Sequence, residues 1–348
     1  MEKHTHTPTT FALGLGLTND CDLACAHCYR ETLRIDRLSL AEVKAACESI
    51  PLRSVNLGTG ENGLHPQFAE VLDYLKTLGV KLSITSNGYS ISVLSDDQLR
   101  SFHSVELSLD FPTEAEQDAF RGPGNWRLIM EQLSRCRRLD VPVTITAVMM
   151  SINYDKLADV ARLAASLGAT CRVNVYQAVK TDAFALSYEQ FWTGFQKLFA
   201  ASALVICNEP IVRAVLGIKD ARRGGCGVST VRVTPKGEVI PCVYWPEQQL
   251  RLGDLVELRE RVIETDPFRC TSLVPEFCRP CAFVETCGGG CAGRRRLRGT
   301  LDEPDEFCPF VRGETIDLPC EFAPSQDFPK AASACTIVVQ GDRQGRGE

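Results

Sequence analysis

Residues 21–28, Cys-Asp-Leu-Ala-Cys-Ala-His-Cys, put three cysteines at Cys21, Cys25 and Cys28. The gaps are short enough for one loop to aim three thiolates at one metal cluster, and a four-iron cluster takes four ligands. Three thiolates leave one iron open to a small molecule. Zinc is the other chemistry for clustered cysteines, but zinc sites pair theirs as C-x2-4-C with a second pair elsewhere. The x3-then-x2 run directly after an apolar strand fits a cluster better. A second constellation fills the last third of the chain. Cys226 is followed by Gly237 and Cys242, then come Cys278, Cys281, Cys287 and Cys291 at x2, x5 and x3 spacing, and Cys308 follows after a gap. A zinc ribbon on Cys278, Cys281, Cys287 and Cys291 is the plainer alternative for this part of the chain. Gly288-Gly289-Gly290 would let the backbone pass close to a bound cluster. Arg294, Arg295, Arg296 and Arg298 follow at once. They read as solvated helix positions offsetting nearby acids, with a basic rim that tunes a cluster as the alternative.

The elements that must position these residues alternate. Apolar runs at Phe11–Thr18, Arg53–Gly58, Val80–Thr85, Ser104–Leu109, Val141–Met149 and Thr170–Gln177 read as strands. Helical spacing marks Ser39–Ile50, Pro66–Leu78, Asn125–Leu139, Tyr154–Leu167 and Tyr188–Ala200, with a short helix near Asp96–Phe102. This α/β rhythm predicts parallel strands joined by crossover helices, as a barrel or a doubly wound sheet. Polar residues follow successive strands: Gly58-Thr59-Gly60-Glu61, then Ser86-Asn87, then Ser108 and Asp110. Val231–Pro241 reads as a hairpin turning at Pro235-Lys236-Gly237. The predicted division is a barrel over 11–205, a cysteine-rich domain over 206–311 and a disordered tail over 312–348.

The chain has 348 residues, of which 44% are hydrophobic and 24% charged, with a net charge of −6. That charge argues against nucleic acid as the main partner, because phosphate binding needs a basic surface. Met1–Thr10 is polar and lacks the apolar core of a secretory signal, and no apolar run reaches spanning length. A cytoplasmic protein without membrane contact is expected. Its 17 cysteines then imply metal rather than disulfides, since cytoplasmic thiols stay reduced.

The first cysteine loop, with His27 before its third cysteine, resembles the signature of the radical S-adenosylmethionine (SAM) superfamily. The resemblance implies a partial (β/α)6 barrel whose open iron binds the amino and carboxylate groups of SAM. Electron transfer then cleaves SAM to methionine and a 5′-deoxyadenosyl radical that takes hydrogen from substrate. Gly60-Glu61 match the family's GGE motif, where Glu61 would meet the SAM amino group; Thr59 replaces its first glycine and Asn62 stands where a proline is common. Ser86, Asn87, Ser108 and Asp110 resemble positions that bind the SAM carboxylate and ribose, and Arg121 and Arg172 are candidate carboxylate partners.

The later cysteines resemble the SPASM extension at each motif position. That implies two auxiliary four-iron clusters, one on Cys226, Cys242 and Cys291 and one on Cys278, Cys281, Cys287 and Cys308, so three [4Fe-4S] clusters in all. The eighth auxiliary ligand would be Cys207, Cys270 or no cysteine; Lys219–Gly225 supplies none. SPASM members mostly modify ribosomally made peptides, by crosslinking or oxidation, with SAM and an electron donor such as flavodoxin or ferredoxin as partners. The ten residues before the first strand are too few for a leader-binding domain. The alternatives are a tetrapyrrole or small-molecule enzyme, an anaerobic sulfatase maturase and a non-catalytic iron–sulfur or zinc protein. The maturase reading loses weight because Val243 stands where those enzymes carry an Asp base. No catalytic base is evident; Asp110, Glu61 and solvent are the candidate proton acceptors.

Overall fold

The computed structural model describes residues 10–218, 226–247, 249–324 and 336–341. Lys219–Gly225 and, within the expected tail, residues 325–335 (with Cys335) and 342–348 lie outside the described residues. Strands β1 (Phe11–Leu15), β2 (Leu52–Leu57), β3 (Lys81–Ser86), β4 (Ser104–Ser108), β5 (Val143–Met149) and β6 (Thr170–Val175) pair parallel, each with the next. Helices cross over between them. Leu40–Ser49 begins at a capping box in which Ser39 accepts from the Glu42 N–H and Glu42 reaches back to the Ser39 N–H. Phe68–Thr77 buries Phe68, Val71, Leu72 and Leu75 against the sheet, the spacing of one helical face. Six parallel strands in sequential order form the wall of an open barrel, whose strand ends gather the loops that follow them.

The remaining strands extend this wall at both edges. β7 is Ala203–Cys207, β8 Thr230–Val233, β9 Glu238–Ile240, β10 Leu250–Arg251 and β11 Thr336–Gln340. The sheet order is β10-β9-β8-β1-β2-β3-β4-β5-β6-β11-β7. The expected hairpin is β8 and β9, antiparallel, with Gly237 at φ +73° in its turn. Because β8 pairs parallel with β1, the cysteine-rich third is stitched to the first barrel strand. One apolar core runs from Phe11 and Leu13 through Val231 and Val233 to Phe307.

The disordered tail expected over 312–348 is corrected at its described end. Thr336–Gln340 lies between β6 and β7, antiparallel to both, with Ile337 and Val339 fully buried. Thr-Ile-Val-Val-Gln is β-branched and apolar, and the barrel edge offers it two ladders. No helix among the described residues is long and apolar enough to cross a membrane.

Candidate active site and metal centres

The loop after β1 is held by its own polar residues. Asn19 Nδ2 donates to the carbonyls of Glu31 (3.2 Å) and Arg34 (2.8 Å), while its Oδ1 accepts from the Asp36 N–H at 2.7 Å. Arg30 donates to the carbonyls of Asn19 and Leu23, clamping the segment from inside. Cys21, Cys25 and Cys28 all line one cavity of about 220 Å³ at the C-terminal ends of the barrel strands. Asn87 ties the loop to the end of β3, its Nδ2 donating to Asp22 Oδ1 at 2.8 Å and lying 3.7 Å from Cys21 Sγ.

Gly60 and Glu61 meet the same loop from below. A Cβ on Gly60 would sit 2.4 Å from the Asp20 carbonyl and 2.6 Å from that of Thr18, at φ +63°, so only glycine fits. Thr59 adopts φ +73°, a conformation that is strained for a β-branched residue, at the position of the family's first glycine. Glu61 is buried, and burial pushes its carboxyl up from the ordinary range. One oxygen accepts from the Ser86 hydroxyl (2.8 Å), the Ser90 N–H (3.0 Å) and the Ser90 hydroxyl; the other accepts from the Asn87 N–H (2.5 Å). Glu61, Ser86, Asn87 and Ser108 all line the cavity.

Asp110 does not line it. Its carboxylate is fully buried, takes Arg121 Nε and Nη2 at 2.7 Å each, and accepts the Val148 N–H at 2.8 Å. The expected role of Asp110 against a ribose is therefore corrected: it anchors Arg121, which is on the wall and whose carbonyl lies 3.9 Å from Cys25 Sγ. His27 stacks on Phe120 at 4.9 Å, and burial pushes its imidazole down to about 4. Arg172, expected as a partner for the SAM carboxylate, lines the cavity and pairs there with Glu106. Thr85 donates to Glu106 at 2.7 Å, and Thr336 accepts from Arg172 Nε at 3.1 Å. Glu106 was missed in the sequence; an acid inside the β4 run was its signal.

The other cysteines gather in two groups. Cys226, Cys242 and Cys291 line a second cavity of about 70 Å³. The Cys226 thiol donates to Cys242, pushing Cys242 down to about 7 and Cys226 up. A Cβ on Gly293 would lie 3.3 Å from Cys242 Sγ and 3.9 Å from Cys291 Sγ, so the helix after Cys291 starts close against both sulfurs. Cys278, Cys281, Cys287 and Cys308 feel one another's charge as a second group. Gly288, Gly289 and Gly290 all have positive φ, and Gly289 packs close to Pro275 and Cys278 Sγ. Cys270, like Cys226, packs against the small core of Ile240, Cys242, Trp245, Ala292 and Leu301. Cys207 is buried elsewhere, donating to the Glu209 carbonyl at 3.8 Å near Cys320.

The arginines after Cys291 correct the expectation of a solvated face. Arg294 and Arg295 are buried. Arg294 bridges Glu209 at 2.8 Å and Asp305 at 2.6 Å. Asp305 in turn accepts the Cys291 N–H at 2.8 Å.

Among the described residues no three His, Cys, Asp or Glu close around one metal ion. A four-iron cluster takes its thiolates at separate irons, so that convergence is not what it requires. The donor chemistry fits such clusters. Burial holds Cys21 up to about 12 and raises Cys25, so these thiols stay protonated until a metal takes the proton's place. Beside the later groups, Arg295 Nε is buried with no hydrogen-bond partner, as expected where an anion belongs.

Residues 15–164 match the family model of the radical SAM superfamily. The chain is 26% identical over 319 residues to the mycofactocin maturase MftC of Mycobacterium ulcerans, covering 84% of this chain and 86% of that one. It is 24% identical over 319 residues to the PqqA peptide cyclase of Ruegeria pomeroyi, covering 82% and 83%. The crystal structure of Streptococcus suis SuiB shares the fold at a TM-score of 0.64 and 15% identity, over 86% of this chain and 77% of that one. The radical SAM match spans residues 15–164, and both curated relatives align over more than four-fifths of the chain; the protein is similar to these enzymes throughout and is a SAM-dependent radical enzyme.

Proposed function

We propose that this enzyme uses a SAM-derived radical to modify a ribosomally made peptide, by a crosslink, an oxidation or a related change at an unactivated carbon. The observation that carries the reading is the shared cavity. The three cysteines of the first loop and the polar ends of the barrel strands face it, and so do Val243 and Tyr244, the residues just after Cys242. Both halves of the molecule therefore wall one reaction space. The similarity to a mycofactocin maturase and a PqqA peptide cyclase supports a peptide as substrate.

Cys21, Cys25 and Cys28 would hold the catalytic cluster. With SAM bound, that group supplies the one-electron cleavage that yields a hydrogen-abstracting radical. Asn87 and Arg30 keep the loop in place, and the Asp110–Arg121 pair fixes the wall behind Cys25. Glu61 offers a buried carboxylate to an ammonium group, its Oε1 carrying only the Asn87 hydrogen bond. Gly60, Ser86, Asn87, Ser108 and Arg121 would complete the SAM contacts. Cys226, Cys242 and Cys291 would hold a first auxiliary cluster, and Cys278, Cys281, Cys287 and Cys308 a second, for three clusters per chain. Flavodoxin or ferredoxin would deliver electrons in a cytoplasmic setting.

The test is anaerobic co-expression with a small precursor peptide encoded beside this protein, followed by mass spectrometry. Loss of two hydrogens from the peptide, with 5′-deoxyadenosine formed, is expected for a crosslink or oxidation. Consumption of a small molecule while every neighbouring peptide stays unchanged would discard the peptide reading.

A further inference from the structure

The four arginines after Cys291 do not share one role. Arg294 pairs with Glu209 and Asp305, Arg296 with Glu247, and Arg298 with Asp182 and Glu306. Among the described residues Arg295 alone of the four has no ion pair. It is 1% exposed and heads the fully buried side chains by size. Its Nη1 donates to the Leu301 carbonyl and its Nη2 to the Leu273 carbonyl at 2.9 Å, while Nε has no partner.

Burying a guanidinium without an anion is strongly unfavourable. Asp305 is within electrostatic reach, but both its oxygens are taken by Arg294. The other titratable groups within electrostatic reach of Arg295 are Cys291, of the first auxiliary group, and Cys278 and Cys287, of the second. Its position follows from the chain. It stands one helical turn after Cys291, donating its N–H to the Cys291 carbonyl at 3.0 Å. Its side chain reaches the segment that leads into Cys278.

We propose that Arg295 is the built-in counter-charge of the two auxiliary clusters, set between them so that it raises the reduction potential of both. The proposal rests on the reading that both groups hold clusters. Thiolate-held clusters are anionic, and each added electron makes them more so. A fixed buried cation therefore favours the reduced form, because net charge and solvent exposure set cluster potentials.

The experiment uses the full chain with Cys21, Cys25 and Cys28 replaced by Ala, reconstituted anaerobically, so that only auxiliary clusters remain. Iron is counted first, and then the clusters are titrated with redox mediators and read by electron paramagnetic resonance. About eight irons per chain are expected. With Arg295→Gln, iron should stay bound while the one-electron reduction constant of each cluster falls about tenfold, about 59 mV. Arg295→Lys should restore most of that shift. If Arg295→Gln does not load iron, Leu273→Glu, which adds a carboxylate on the residue whose carbonyl accepts from the intact guanidinium, should lower the potentials in the same direction. Full iron with unmoved potentials overturns the assignment while leaving the cluster reading intact. So does an Arg295→Lys shift as large as that of Arg295→Gln, which would make the role one of shape. Iron near zero in the starting protein overturns the two-cluster reading and the counter-charge with it.

Discussion

Thr336 is the sharpest place to test whether the C-terminal strand is part of the site. Its Oγ1 accepts from Arg172 Nε at 3.1 Å and donates to Asn174 Oδ1 at 2.9 Å. The residue is 3% exposed, and Arg172 and Asn174 both face the reaction cavity. Thr336→Val keeps the shape and removes both bonds. Arg172 Nε would then retain only Asn174 Oδ1 at 3.4 Å. A hydrogen bond to a charged group contributes about 1.5–3 kcal/mol, and a buried donor left unmade costs about as much. The loss should be about 2 kcal/mol. At about 2 °C per kcal/mol for a chain of this size, Tm should fall by about 4 °C. Thr336→Ser, which keeps the hydroxyl, should recover most of it. The assay is anaerobic thermal unfolding of matched, iron-loaded samples, with SAM affinity measured in parallel. An unchanged Tm in Thr336→Val, or a Thr336→Ser protein as weak as Thr336→Val, would refute the reasoning. Ending the chain after Pro324 goes further and removes the whole strand. Ile337, Val338 and Val339 are buried, and at about 1.5–3 kcal/mol each their loss approaches the entire stability of a typical domain. That protein should be recovered insoluble.

Three further outcomes are expected. Replacing Cys21, Cys25 and Cys28 together by Ala should abolish 5′-deoxyadenosine formation while auxiliary iron stays bound; undiminished SAM cleavage would sink the assignment of the first loop. Gly60→Ala drives a Cβ into the Asp20 and Thr18 carbonyls, so SAM binding by equilibrium dialysis should drop at least tenfold, whereas the exposed Gly79→Ala, whose Cβ meets nothing within 4 Å, should leave it unchanged. Asp110→Asn strips the charge from the buried partner of Arg121; breaking such a pair costs about 3–5 kcal/mol, which denaturant titration should register as a clear drop in midpoint.

What could be read from the sequence lay within a few residues of itself. The cysteine loop, the glycine run at 288–290, the turn at Gly237 and the helix beginning at Ser39 are short-range patterns. Their chemistry is complete within one loop or one helical turn, and the structure has each in place. Strand and helix boundaries followed the same local periodicities to within a few residues. Assignments that depend on a distant partner came out otherwise. Arg294 looked solvated because its acids, Glu209 and Asp305, stand 85 and 11 residues away, outside any helical repeat. Asp110 and Ser108 looked alike at the end of β4. Yet Ser108 faces the cavity and Asp110 turns to Arg121, a difference made by the crossover after β4. Thr336–Gln340 looked like part of a tail because its ladder partners, Cys171–Asn174 and Ala203–Cys207, are more than a hundred residues upstream. A β-branched pentapeptide says that it can be a strand; only the open edge of a barrel built from the rest of the chain says where. The cysteine types and spacings thus pointed to clusters on their own, and their resemblance to a known signature pointed to the radical chemistry. Tertiary packing decided which buried charges surround it, because a charge's partner is chosen by register and crossover rather than by sequence neighbours.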